Sequence, residues 1–150
     1  MKVGLQLYTV RDAFRADPRG TLEKMAEIGY HYAELFNHNA DREIACFGFS
    51  AAEIGKLSEE TGVKIVSGHL GCYERAKEMI RDRELMKRTA GYYAEAGCEY
   101  MVLSAEYFTS KEQVYSSCEA YNAVGEICRE NGLSFLYHNH IWDFKKVEGK

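Results

Sequence analysis

Short apolar runs alternate along the whole chain with longer stretches in which apolar residues recur at helical spacing. The phrase glutamate, any residue, glycine closes four of the longer stretches, at residues 27–29, 60–62, 95–97 and 130–132, and each of these copies precedes an apolar run. The glycines of these phrases lie 33, 35 and 35 residues apart. Because that spacing accommodates one helix and one strand, the pattern predicts consecutive βα units that form a parallel sheet.

Local signals at the ends of the long stretches set the predicted boundaries. Glycine just after a helix is the usual left-handed cap, while Asp17-Pro18 and the capping-box spacing from Ser50 and from Ser110 are typical of helix starts. Helices are therefore predicted at 18–28, 50–61, 82–96 and 111–130. Strands are predicted at 2–8, 31–36, 63–68, 99–104 and 133–139.

Composition places the chain among ordinary globular domains. Of its 150 residues 46% are hydrophobic, and the single proline and the lack of a linker favour one continuous unit. The net charge of -4 argues against a nucleic-acid partner. The start of the chain has neither a signal peptide nor an apolar span, so we expect a soluble, cytoplasmic protein without membrane contact.

The five cysteines are odd in number and form no C-x-x-C pair. Such spacing fits neither a zinc ribbon nor a disulfide framework, so we predict reduced, mostly buried thiols without a chemical role.

Polar residues follow each predicted strand, at the edge where parallel α/β sheets and barrels bind ligands. They are Gln6, Tyr8, Arg11, Glu34, Asn37, His38, His69, Ser104, Glu106, His138, Asn139 and His140. His138 and His140 lie two apart on one strand, so both imidazoles can face one metal ion or one substrate oxygen. The alternative is a polar strand end whose histidines bind backbone or water.

Glu34 and His69 are the other two candidates for chemistry. A carboxylate at the end of strand two can act as a general base or hold a substrate hydroxyl, although it can equally pair with a basic side chain. His69 follows Gly68 and precedes Gly71, an arrangement that allows a ligand to approach the backbone closely, but a single histidine is often structural. Glu106 can equally be a carboxylate that faces water.

Four segments resemble the xylose isomerase-like sugar phosphate isomerase/epimerase family. They are residues 4–12 (GLQLYTVRD), 26–30 (AEIGY), 33–35 (AEL) and, most specifically, 137–140 (YHNH) followed by Asp143-Phe144. The resemblance runs through the whole chain in order.

The resemblance implies a (β/α)8 TIM barrel that binds a divalent metal, Mn, Zn, Mg or Co, and moves a proton next to a carbonyl of a small polyol or sugar. On this basis His138 is assigned to the metal, in place of the family's carboxylate on strand five. Glu34 and His140 are assigned to catalysis, and Tyr8 and His69 to substrate binding.

The chain departs from the family in length. A (β/α)8 barrel takes about 250 residues, whereas this sequence stops just past the fifth predicted strand. We therefore predict an α/β fold that is a truncated TIM barrel, a single incomplete domain over 1–150 with five parallel strands and four helices. Its open sheet favours a homo-oligomer.

Three functions remain open at this point. The first is a metal-dependent sugar isomerase or epimerase that is incomplete as this chain. The second is a self-associating half-barrel without catalysis. The third is a metal-dependent hydrolase or lyase on the same fold, a class that includes the apurinic-site endonucleases.

Overall fold

The fold was analysed in a computed structural model that describes residues 2–37, 44–71, 76–104 and 107–149. His38, Glu106 and one of the five cysteines, Cys72, lie outside these ranges. In the described part of the chain, no helix combines the length and the apolar character needed to cross a bilayer.

Five parallel strands form one sheet, and their spatial order equals their order in the chain, β1-β2-β3-β4-β5. The strands are β1 Gly4–Gln6, β2 Tyr32–Asn37, β3 Lys64–Leu70, β4 Tyr100–Ser104 and β5 Ser134–His138. A doubly wound sheet would reverse its strand order at a switch point, whereas consecutive order is what a (β/α)8 barrel requires. The predicted α/β fold of a partial TIM barrel with five parallel strands is confirmed.

Six α-helices occur in the described residues: α1 Arg11–Ala16, α2 Pro18–Glu27, α3 Ala51–Thr61, α4 Ala76–Met79, α5 Arg83–Glu95 and α6 Lys111–Glu130. The four long ones, α2, α3, α5 and α6, are the predicted crossover helices. The short helices α1 and α4 were not predicted. Strand β1 is shorter than predicted because Leu7–Val10 turns into a 3-10 helix.

Capping explains why the long helices begin where they do. The Asp17 side chain accepts a hydrogen bond from the Gly20 N–H, and Pro18 occupies the first turn of α2. At α3, Ser50 and Glu53 form a full capping box, and Gly62 ends the helix at φ 70°. The left-handed conformation at Gly62 is nearly free of strain only for glycine.

The two faces of the sheet have opposite character. Apolar residues such as Ala33, Leu35, Leu70, Met101 and Leu103 are buried in the core with side chains from the helices. Because side chains alternate along a strand, the opposite, inner face carries the residues between them. This inner face includes Gln6, Glu34, Phe36, Ser67, His69, Val102, Ser104, Leu136 and His138, by the register of the strands.

A single extra residue decides what β3 presents to the inner face. Ala33 pairs with Ile65, but its neighbour Glu34 pairs with Ser67, so Val66 stands opposite no residue of β2. Such a bulge exchanges the faces of every later side chain on the strand. It therefore places Ser67 and His69 on the inner face, although Ile65, two residues before Ser67, is in the core.

The cysteines that the structure describes are all free thiols. Cys46, Cys98 and Cys128 are buried, as predicted, whereas Cys118 is exposed. Burial raises the pKa of the Cys46 and Cys98 thiols to about 12, so these two cysteines are protonated and unreactive near neutral pH.

Candidate active site

The register of the strands brings the carboxyl-end residues into two rows on the inner face. Gln6, Glu34 and Ser67 are lateral partners on β1, β2 and β3. Two inner-face positions further along, Ser104 pairs with His138 between β4 and β5. His69 lies between the two rows and contacts both.

Glu34 is the carboxylate at the centre of the first row. The Ser67 hydroxyl donates to its Oε2 over 2.6 Å, and the Gln6 amide nitrogen donates to its Oε1 over 2.6 Å. Burial opposes ionisation of this group, but the contacts with His69, Ser67 and Gln6 outweigh burial and hold the pKa of Glu34 below its usual value. Glu34 is thus an ionised, partly buried anion within the site.

His69 joins three strands. Its Nδ1 lies 2.9 Å from the Gln6 amide nitrogen and 3.4 Å from Glu34 Oε1, while its Nε2 lies 2.9 Å from Ser104 Oγ. The side chain is almost fully buried, and the Phe36 ring meets it edge-on with ring centroids 5.4 Å apart. Both ring nitrogens are therefore engaged by side chains of this chain.

A row of neighbouring rings leads from His69 past the end of β5 to Trp142. Ring centroids are 5.0 Å apart between His69 and His138, 4.8 Å between His138 and His140, and 4.3 Å between His140 and Trp142. Burial, together with the neighbouring His69 and His140, lowers the pKa of His138. A neutral imidazole at this position can accept a proton or bind a cation.

Asp143 fixes the turn that carries the outer rings. It accepts hydrogen bonds from the His140 backbone N–H over 2.5 Å and from the Tyr137 hydroxyl over 2.9 Å. The 3-10 helix Ile141–Phe144 is closed by these contacts. The segment YHNH…DF thus owes part of its pattern to a local turn.

Tyr8 lies beside the cluster, against Phe36 of the inner face. Its ring packs on Phe36 with centroids 4.6 Å apart, and the Arg11 guanidinium covers the ring at 4.6 Å. Tyr8 is 40% exposed, so it can be reached by a ligand that enters from the open edge. Its assignment to substrate binding stays a prediction.

The structure brings Glu34, His69, His138 and His140 into one continuous cluster and leaves Tyr8 beside it. Sequence reasoning did not assign roles to Gln6, Ser67 and Ser104, the side chains that connect the cluster. Gln6 and Ser104 are the last residues of β1 and β4, and this position was the signal in the sequence that could have identified them. No pattern in the sequence marked Ser67, because its face depends on the bulge at Val66.

The described residues do not form a complete binding site for a divalent metal. No group of three or more histidine, cysteine, aspartate or glutamate side chains there is arranged to hold a cation. The carboxylate oxygens of Glu34 and the ring nitrogens of His69 already contact Gln6, Ser67 and Ser104. The metal role of His138 therefore stays a prediction.

The low pKa of Glu34 predicts a pH-dependent contribution to stability. A carboxyl group whose pKa is lowered by folding stabilises the protein above its unfolded value, 4.5, and this contribution is lost as the pH falls through the lowered pKa. We expect the difference in unfolding free energy between wild type and Glu34→Gln to be largest near neutral pH and to shrink in acid. Urea titrations from about pH 7 to about pH 3 measure it; a difference independent of pH would contradict the assignment.

Comparison with known proteins places this arrangement in context. A sequence model described as xylose isomerase-like TIM barrel matches residues 22–149. No curated protein sequence matches the chain.

Solved structures share the fold over about half of their own length. A sugar phosphate isomerase/epimerase from Parabacteroides distasonis ATCC 8503 is 25% identical, with a TM-score of 0.83 over 97% of this chain and 53% of that one. A xylose isomerase domain containing protein from Salmonella typhimurium LT2 is 15% identical, with a TM-score of 0.58 over 83% and 46%. The D-allulose 3-epimerase from Methylomonas sp. is 14% identical, with a TM-score of 0.62 over 82% and 45%. The last two likenesses concern the fold alone.

Proposed function

Because the chain belongs to the xylose isomerase-like TIM-barrel family, we propose that its inner face takes part in proton transfer next to a carbonyl of a small sugar or polyol. The observation that carries this proposal is the ionised Glu34, held among Gln6, Ser67 and His69 at the carboxyl end of the sheet. The 25% identical sugar phosphate isomerase/epimerase supports the same class of reaction.

Glu34 acts in this proposal as the group that receives the proton or holds the substrate hydroxyl. Its hydrogen bonds stabilise the anion and so make it a weak base in the free protein. A substrate that displaces Ser67 or Gln6 would remove one of those bonds and raise the pKa of Glu34. Binding would thereby bring the carboxyl group closer to the basicity that proton transfer near neutral pH requires.

The histidines complete the proposal. His140 is the second acid or base, and it lies on the stack beside His138. His138 would offer a single imidazole ligand to a divalent ion such as Mn, Zn, Mg or Co, with the remaining ligands supplied from outside the described residues. Such a metal would polarise the carbonyl and make the neighbouring C–H bond more acidic.

Solvent exchange tests the proposed reaction directly. The purified chain is incubated in D2O with pentoses and hexoses, free and phosphorylated, and with Mg²⁺, Mn²⁺, Co²⁺ or Zn²⁺ added singly. Loss of the proton next to the carbonyl, followed by NMR, is the expected result. A folded protein that exchanges none of these sugars with any of the cations would refute the proposal for this chain.

The exposed side of the sheet favours a second proposal, self-association. Leu136 on the inner face is 43% exposed, and Ile141 and Phe144 beyond β5 are 80% and 81% exposed. Large apolar side chains that are exposed to this extent are typical of an interface. A second copy of the chain would cover them and add groups to the site.

The solution mass tests self-association, and light scattering is expected to give a dimer. Replacing both Ile141 and Phe144 with serine should shift the mass toward the monomer, because the change removes apolar area from the interface. Replacing Tyr115, which is also exposed but lies on α6, serves as the control. A wild-type monomer at high concentration would contradict the proposal.

A further inference from the structure

Two side chains, Gln6 of β1 and Glu34 of β2, converge on one nitrogen of His69, which lies on β3. The Gln6 amide nitrogen lies 2.9 Å from His69 Nδ1 and 2.6 Å from Glu34 Oε1, whereas Glu34 Oε1 itself lies 3.4 Å from that Nδ1. An amide nitrogen carries two protons, so Gln6 can donate to the carboxylate and to the imidazole together. The distance from His69 Nδ1 to Glu34 is therefore longer than the distance from His69 Nδ1 to Gln6.

The carboxylate fixes which way the Gln6 amide is turned. With the amide reversed, its oxygen would stand 2.6 Å from Glu34 Oε1, and two acceptors without a proton between them repel each other. Hydrogen bonds from Ser67 and Gln6 hold Glu34 as the anion, so its oxygen has no proton to offer. The amide nitrogen must therefore face both Glu34 and His69.

An imidazole nitrogen that accepts a hydrogen bond carries no proton. His69 Nδ1 accepts from Gln6, so the single proton of the neutral ring is on Nε2, which lies 2.9 Å from Ser104 Oγ. We propose that Gln6 is a positioning residue that holds His69 in the Nε2–H tautomer, with the imidazole donating to Ser104. The direction of the hydrogen bonds then runs from β1 through β3 to β4.

This direction excludes a reaction that the distances alone would suggest. Ser104, His69 and Glu34 follow one another like a nucleophile, a base and an orienting carboxylate. That chemistry requires the opposite polarity, with Nδ1–H donating to the carboxylate and Nε2 accepting from the serine. Gln6 reverses the polarity, so His69 cannot take the Ser104 proton.

The functional role of the His69 tautomer rests on the proposed proton transfer, although the assignment of the tautomer itself does not. A site that moves protons at Glu34 gains from a neighbouring imidazole that does not compete for the carboxylate. With Nδ1 unprotonated, His69 does not donate to Glu34 Oε1, which lies 3.4 Å away, and the hydrogen bonds that stabilise the anion are those from Ser67 and Gln6. The carboxylate then remains available to a substrate that displaces Ser67 or Gln6.

Nitrogen NMR reads the tautomer without any substrate, so its result is independent of the proposed activity. In ¹⁵N-histidine-labelled protein, with His69 assigned by loss of its signals in His69→Gln, wild type should show a protonated Nε2 and an unprotonated Nδ1. In Gln6→Met, which keeps the length and removes the amide, the two nitrogen signals should exchange character as Nδ1–H turns to Glu34. In Ser67→Ala, the control that removes a Glu34 bond without touching His69, the wild-type pattern should persist.

A wild-type ring protonated at Nδ1, or a Gln6→Met ring that keeps its proton on Nε2, would overturn the proposal. Ser104→Ala keeps it testable should Gln6→Met fail to fold. That variant removes the acceptor at Nε2 but leaves Gln6 in place, so the proton is expected to stay on Nε2. Transfer of the proton to Nδ1 in Ser104→Ala would mean that Ser104, rather than Gln6, selects the tautomer.

Discussion

Glu34→Gln is expected to slow solvent exchange of the substrate proton by about 10²- to 10⁴-fold, the range that general acid–base catalysis contributes. The physical reason is that glutamine keeps the size of the side chain but removes the negative charge and the proton-accepting oxygen. The measurement is the NMR exchange rate in D2O, taken with saturating sugar so that loss of binding and loss of catalysis are separated.

A second carboxylate provides the matched control for that loss. The Glu99 carboxylate pairs with Lys64 at the amino-terminal ends of β4 and β3. Glu99→Gln should leave the exchange rate within about twofold, because an exposed ion pair contributes little to stability. Equal rates for wild type and Glu34→Gln would assign the proton transfer to another group.

Gly68→Ala is expected to lower the free energy of unfolding by about 1–3 kcal/mol, the usual cost of overpacking a core. A Cβ at Gly68 would lie only 2.2 Å from a ring carbon of Tyr93, a fully buried side chain of α5. Neither the strand backbone nor a ring enclosed on all sides can move far to make room. Urea denaturation followed by circular dichroism measures the change.

The same helix offers the control for this substitution. A Cβ at Gly91, inside α5, would meet nothing nearer than the Asn131 amide oxygen at 3.8 Å. Gly91→Ala is therefore expected to raise stability by about 0.5–1 kcal/mol, since alanine loses less backbone entropy in a helix. A Gly68→Ala protein as stable as Gly91→Ala would mean that Tyr93 repacks without cost.

Most of the fold was predictable because local signals agree with one another. The periodic glycines mark the ends of the four long helices. The proline of α2 and the Ser50 capping box of α3 mark helix starts that agree with them. The exception is the segment after Gln6, where an apolar run that predicts a longer β1 forms a 3-10 helix instead. Leu7 is fully buried although it lies outside the sheet. In the sequence, an apolar residue at this position therefore looks the same as a buried strand residue.

The site was predictable in its membership but not in its connections. The rule that ligands bind at strand ends selects Glu34, His69, His138 and His140 without any structure. Which atoms meet depends on the lateral register of the strands, and local periodicity does not determine register. For that reason the bond between Gln6 and His69 and the direction of the His69 proton emerged only from the fold.

The bulge at Val66 also dictates how this protein can be recombined with relatives. A crossover inside β3, between Ile65 and Ser67, that joins this chain to a relative without the extra residue would turn Ser67 and His69 toward the hydrophobic core. Crossover points before β2 or after β3 transfer both strands together and so keep their register. For the engineer, strands β2 and β3 are therefore a single exchangeable part.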